Sequence, residues 1–104
     1  MSIIKNILVE ELARLEELSV FYKNKIAESP RGSISLKERQ GKRYIYLACR
    51  EDKKVIFSYV GKDVPEVRNA LHERLKQRKD YQSKLRQVNE NIRDIKRALR
   101  GKRT

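Results

Sequence analysis

Apolar side chains recur at steps of three and four through Ile4, Leu8, Leu12, Leu15, Leu18, Tyr22 and Ile26, the spacing that lines one face of a helix. This predicts a first helix over residues 3–28. Ser2 stands where an N-cap belongs, and Ser29-Pro30-Arg31-Gly32 ends the helix because Pro30 disfavours helical geometry in the residue before it. Over residues 33–61 the pattern shifts to short runs of β-branched and aromatic residues. Three strands are predicted, over 33–39, 43–50 and 54–60. They are separated by Gln40-Gly41-Lys42 and by Glu51-Asp52-Lys53, turns short enough to force an antiparallel meander. Strands two and three are apolar on both faces, so one face needs a cover other than water.

Asp63-Val64-Pro65-Glu66 is a helix start signal, with Asp63 as cap, Glu66 closing a capping box and Pro65 tolerated in the first turn. The second helix is predicted over 64–100, about 50 Å at 1.5 Å per residue. Its stripe runs from Leu71 and Leu75 to Leu85, Val88, Ile92, Ile95 and Leu99, the last five in alternating steps of three and four, as in a coiled-coil seam. Gly101 opens a short basic tail, 101–104. The expected architecture is one α+β domain of order α-β-β-β-α, a three-stranded antiparallel meander with two long helices packed as a coiled-coil-like pair. Periodicity leaves open whether the seam at Leu85, Val88, Ile92, Ile95 and Leu99 pairs within the chain or with a second copy. A homodimer is the expectation.

Composition thins the core and excludes several classes. The mean hydropathy of the 104 residues is -0.80, no run approaches the ~20 apolar residues of a membrane-spanning helix, and Met1-Ser2-Ile3-Ile4-Lys5 lacks a signal-peptide pattern. A cytoplasmic protein with no membrane association is expected. One cysteine, Cys49, and one histidine, His72, form neither a disulfide nor a four-ligand zinc site. Carboxylates lie mostly beside Lys or Arg, and no nucleophile is implied near His72. Gly61-Lys62-Asp63 lacks the spacing of a phosphate loop. No catalytic residue, metal, cofactor, small-molecule substrate or enzymatic activity is expected, and Cys49 reads as a small apolar strand residue.

Charge supplies the functional signal. The chain carries 26 Lys and Arg against 14 Asp and Glu, a formal +12. Residues 1–28 hold four basic and five acidic side chains, residues 29–63 nine and four, and residues 64–104 thirteen and five. The excess therefore belongs to the sheet and the second helix, where Arg78, Lys79 and Arg86 lie off the apolar stripe. Such an imbalance repels itself unless an anion offsets it, so nucleic acid is the expected partner, DNA before RNA. Gly41-Lys42-Arg43 is a basic turn able to meet phosphate. Tyr44, Tyr46, Phe57 and Tyr59 alternate on adjacent strands. On an open sheet they would stack on unpaired bases, but a sheet this small is expected to need them for burial.

The run Gly32-Ser33-Ile34, Gly41-Lys42-Arg43-Tyr44-Ile45-Tyr46-Leu47, Arg50, Lys54-Val55 and Tyr59-Val60-Gly61-Lys62-Asp63, followed by a charged helix, resembles a family of small bacterial and archaeal proteins known as a domain of unknown function. A related cadence occurs near the start of some transposases. Three strands followed by a helix is similar to the arm-type DNA-binding domains of tyrosine recombinases, whose sheet enters the major groove. That likeness implies base or phosphate contacts for Lys37, Arg39, Arg43, Tyr44, Arg50 and Lys54, although the long basic second helix departs from the recombinase pattern. The sequence thus leads to a non-enzymatic nucleic-acid-binding protein using the basic sheet and second helix. The alternative is a protein-interaction module or a mobile-element-encoded accessory or inhibitor acting through the helical seam.

Overall fold

Ser2 opens the first helix through both its oxygens. Its hydroxyl accepts the Lys5 N–H at 3.0 Å and its carbonyl the Asn6 N–H at 3.3 Å, satisfying donors that a helix start leaves unpaired. The computed structural model describes residues 2–101. It runs α1 (Ile3–Glu28), β1 (Ser33–Arg39), β2 (Lys42–Glu51), β3 (Lys54–Lys62) and α2 (Pro65–Arg100). This is the α-β-β-β-α order and the α+β class that the pattern predicts. Residues 102–104 of the expected basic tail lie outside the described residues.

The strands form one antiparallel sheet of order β1-β2-β3. The first hairpin is tighter than the sequence suggests: Arg39 pairs with Lys42, leaving only Gln40 and Gly41 as loop. Both have positive φ, 53° and 76°, the sign pattern of a turn whose twist matches the flanking strands. The second hairpin closes through Asp52 and Lys53, with Asp52 at φ 55°. On β3 one extra residue, Val60, is inserted between Tyr59, opposite Tyr46, and Gly61, opposite Ile45. This bulge reverses the facing of every β3 residue beyond it.

Two compact units are present, one of residues Ser29–Arg78 and one of α1 with the chain from Lys79 onward. In the first, the sheet meets the start of α2. A Cβ added at Gly61 would lie 3.5 Å from Val67, so the face that Gly61 shares with its partner Ile45 looks onto α2. Ile45 is 0% exposed and Leu71, one helical turn after Val67, is buried. Further along the same helix face Arg78 Nη1 donates to the Ser29 carbonyl at 3.1 Å.

The start of α2 differs from the expected capping box. The first helical bond runs from the Arg68 N–H to the Val64 carbonyl at 3.0 Å, which makes Val64 the capping position and leaves Asp63 outside the helix. The physical reason is that Asp63, just beyond β3, is still tied to the sheet, its N–H donating to the Arg43 carbonyl at 3.0 Å.

In the other unit α1 lies antiparallel to the second part of α2. Tyr22 and Tyr81 approach with ring centroids 6.0 Å apart, and the Ser19 hydroxyl donates to Asn89 Oδ1 at 3.4 Å. Leu15, Ser19 and Val88 are buried. The seam residues Ile95 and Leu99 line cavities that they share with Leu15 and with Leu8. Within this unit the stripe anticipated at Leu85, Val88, Ile92, Ile95 and Leu99 therefore runs along α1 of the same chain.

Gly32 holds the entrance to β1. Its φ is +123°, and a Cβ there would overlap the Ala48 carbonyl oxygen and stand 2.9 Å from the carbonyl carbon. Backbone strain and overpacking each cost about 1–3 kcal/mol. Gly32→Ala is accordingly expected to destabilise the protein by roughly 2 kcal/mol or more, read as a lower midpoint in urea unfolding followed by circular dichroism; an unchanged midpoint would contradict this backbone geometry.

Candidate nucleic-acid interface

Because side chains alternate across a strand, the pairing register sorts the sheet into two faces. The face that packs against α2 at Ile45 carries Ile34 and Leu36 of β1, Arg43, Ile45, Leu47 and Cys49 of β2, and Ile56, Ser58 and Gly61 of β3, with Leu36, Arg43, Ile56 and Ser58 exposed at its margins. The opposite face carries Lys37 and Arg39 of β1, Lys42, Tyr44, Tyr46 and Arg50 of β2, and Phe57, Tyr59 and Lys62 of β3. The expectation that the rings serve burial holds only in part, since Tyr44 and Tyr46 are half-buried. Phe57 is 45% and Tyr59 58% exposed, while on the other face Ile56 is exposed to a similar degree and Ile45 is fully buried.

The rings form one cluster. Tyr59 sits edge-on to Tyr46 with centroids 5.5 Å apart and is tilted against Tyr44 at 6.2 Å. Lys37 reaches across from β1, its Nζ 3.8 Å from the Phe57 centroid and 4.9 Å from that of Tyr46, a cation held by the negative faces of two rings. Tyr44, Tyr46 and Tyr59 line an open cavity of about 430 Å³ with Arg39 and Gln40 beside them. The cluster thus joins flat apolar surfaces to the cations Lys37, Arg39, Lys42, Arg50 and Lys62.

The ten residues anticipated for nucleic-acid contact do not all converge. Lys37, Arg39, Lys42, Tyr44 and Arg50 share the aromatic face, as their parity dictates. Arg43 and Lys54 fall on the other parity. Arg43 Nη1 stands 3.9 Å from Asp63 Oδ2, and Arg68 binds Asp63 Oδ1 through Nε at 2.9 Å and Nη2 at 2.7 Å. The Asp63 carboxylate, 3% exposed, thereby ties the end of the sheet to the start of α2. Arg78 is engaged by Ser29, whereas Lys79 and Arg86 are exposed residues of the other unit.

Tyr46, Phe57, Tyr59 and Lys62 complete the face and were not among the anticipated contacts. The alternation of aromatics was the available signal for the first three. Lys62 had none, because strict alternation from Tyr59 places it on the far side and only the bulge at Val60 returns it.

Cys49, half-buried on β2, also accepts a polar contact. Arg31 Nε donates to its sulfur at 2.9 Å, and Arg31 Nη2 donates to the Arg50 carbonyl at 3.4 Å with Glu51 at 3.8 Å. The hydrogen bond to Cys49 is the main influence raising the Arg31 pKa above its ordinary value, with charge interactions from Cys49 and Glu51 adding to it. Among the described residues no group of three or more His, Cys, Asp or Glu side chains converges as a metal site, and no helix is long and apolar enough to cross a membrane.

A three-stranded meander that follows α1 and precedes α2 in the chain, with its aromatic face on the opposite parity to Ile45, is the arrangement to which the family comparison attaches. Residues 4–69 match the domain of unknown function DUF6788, and the chain belongs to that family. The match spans α1, the whole sheet and the opening turn of α2. No curated protein and no solved structure matches the chain.

Removing the Asp63 carboxylate leaves Arg68 and Arg43 facing a side of the sheet that Asp63 now neutralises. Asp63→Ala is expected to cost about 1–3 kcal/mol and Asp63→Asn less, by thermal unfolding; equal stability of wild type and Asp63→Ala would show that this cluster ties nothing together.

Proposed function

We propose that the protein is a non-enzymatic nucleic-acid-binding protein, with DNA as its principal partner, which uses the aromatic and basic face of its sheet. The observation that carries this reading is the collection of Lys37, Arg39, Lys42, Arg50 and Lys62 on one face, around exposed rings and opposite the face where Asp63 cancels charge. A polyanion gains from every cation it meets by releasing counterions, and affinity obtained this way is steeply salt-dependent. The exposed cations of α2 in the other unit, Lys79 and Arg86 among them, add a second basic surface of the same character. The contacts that the arm-type resemblance implies divide here, and the groups suited to contact belong to the face that carries Tyr44 and not to the one that carries Arg43.

Two sets of substitutions with equal change in net charge separate a site from mere positive charge. Lys37→Glu with Arg39→Glu is expected to weaken binding of labelled DNA by tenfold or more, on the order of 1.4 kcal/mol, while Arg43→Glu with Lys54→Glu has a much smaller effect. Engagement of the five face cations gives a slope of log affinity on log salt of roughly -3.5 for single strands and -4.5 for duplex. A salt-independent affinity, or equal losses in the two variants, would overturn the assignment.

A further inference from the structure

We infer that the occupant of the aromatic face is single-stranded DNA, one unpaired base entering the cavity bounded by Tyr44, Tyr46 and Tyr59 while its flanking phosphates meet Arg39 and Lys37. This rests on the nucleic-acid reading above and deepens it. Cations alone bind duplex and single strand alike, whereas exposed rings serve a nucleic acid only where bases are free to leave their stack. Tyr59 is the most exposed ring of the cluster and touches both neighbouring tyrosines, so it is the platform on which a base rests. The faces of Tyr46 and Phe57 are already taken by the Lys37 ammonium. That leaves the Tyr44 and Tyr59 side of the cluster, where the cavity of about 430 Å³ opens beside Arg39. The cavity is a shallow depression widely open to solvent, which suits a base still attached to its strand. Charge complementarity supports the same occupant: the ring cluster is bordered by cations on all three strands, and the Arg39 guanidinium lines the cavity itself.

The test uses the full chain, a fluorescein-labelled oligothymidylate and a duplex of the same length. Anisotropy titrations are made at salt concentrations between about 50 and 200 mM, where the electrostatic contribution changes most. Tyr59→Leu is expected to weaken the single strand about 5- to 150-fold, the range for loss of one stacked base, and to leave duplex affinity nearly unchanged. Tyr59→Phe, which keeps the ring, restores single-strand binding and shows that the loss is not one of folding. The five tyrosines and absence of tryptophan add a second readout, since stacking on the oligothymidylate quenches tyrosine emission in wild type and less in Tyr59→Leu. If Tyr59→Leu binds the oligothymidylate as wild type does, or wild type prefers the duplex, the inference is wrong and the nucleic-acid reading stands. If neither DNA binds above non-specific levels at low salt, the reading itself fails and takes the inference with it.

Discussion

Within the sheet unit the start of α2 packs against the face of the sheet that carries Ile45, and that fixes the rest of the unit. Gly61 faces Val67 of α2, its partner Ile45 is fully buried, and a strand with a period of two then has no freedom left. Tyr44 and Tyr46, the residues flanking Ile45, must face the other way. Through the register Phe57 and Tyr59 go with them, and so do Lys37 and Arg39. A slip of one residue would send the rings against α2 and expose Ile45 and Leu47. The apolar character of both strand faces, which in a larger protein would fit a sheet between two layers, here leaves a displayed aromatic surface.

Electrostatics sharpen the same division. On the covered side Asp63 is held by Arg68 and stands near Arg43, and Arg31 is engaged by Cys49, the Arg50 carbonyl and Glu51. These cations have partners in the fold. On the aromatic side Lys37 rests over two rings, a weaker hold from which an ammonium is easily recruited by a phosphate. The net charge of +12 is therefore not spread uniformly in its consequences, because part is consumed in closing the sheet and part stands on a face that is also rich in rings.

Much of the fold was legible because each element announces itself locally. The stripe from Ile4 to Ile26, the proline at position 30 and the change of period at Ser33 need no tertiary information, and Ser2 caps α1 as its position implies. The seam ending at Leu99 was visible too, and its far end shares cavities with Leu15 and Leu8 of α1. The site was less legible. Which face of an apolar strand is covered depends on where α2 packs, and the composition of β2 and β3 favours neither side. The bulge at Val60 was missed because Gly61 reads as the end of the third strand, although a glycine at that place also accompanies bulges, and the bulge decides where Lys62 points. Asp63 looked like a cap because Asp-x-x-Glu is a cap signature, but its N–H is still bound by β2 and its carboxylate by arginine.

The central claim is that binding obeys the alternation of the strands, and side-chain NMR during a titration with single-stranded DNA tests it most directly. Ring signals of Tyr44, Tyr46, Phe57 and Tyr59 and side-chain signals of Lys37 and Arg39 should move together, while the Ile45 and Leu47 methyl groups and the Arg43 guanidinium stay nearly still. Perturbations that ignore this parity, or that fall on Arg43 and Leu47 in place of the rings, would contradict the account.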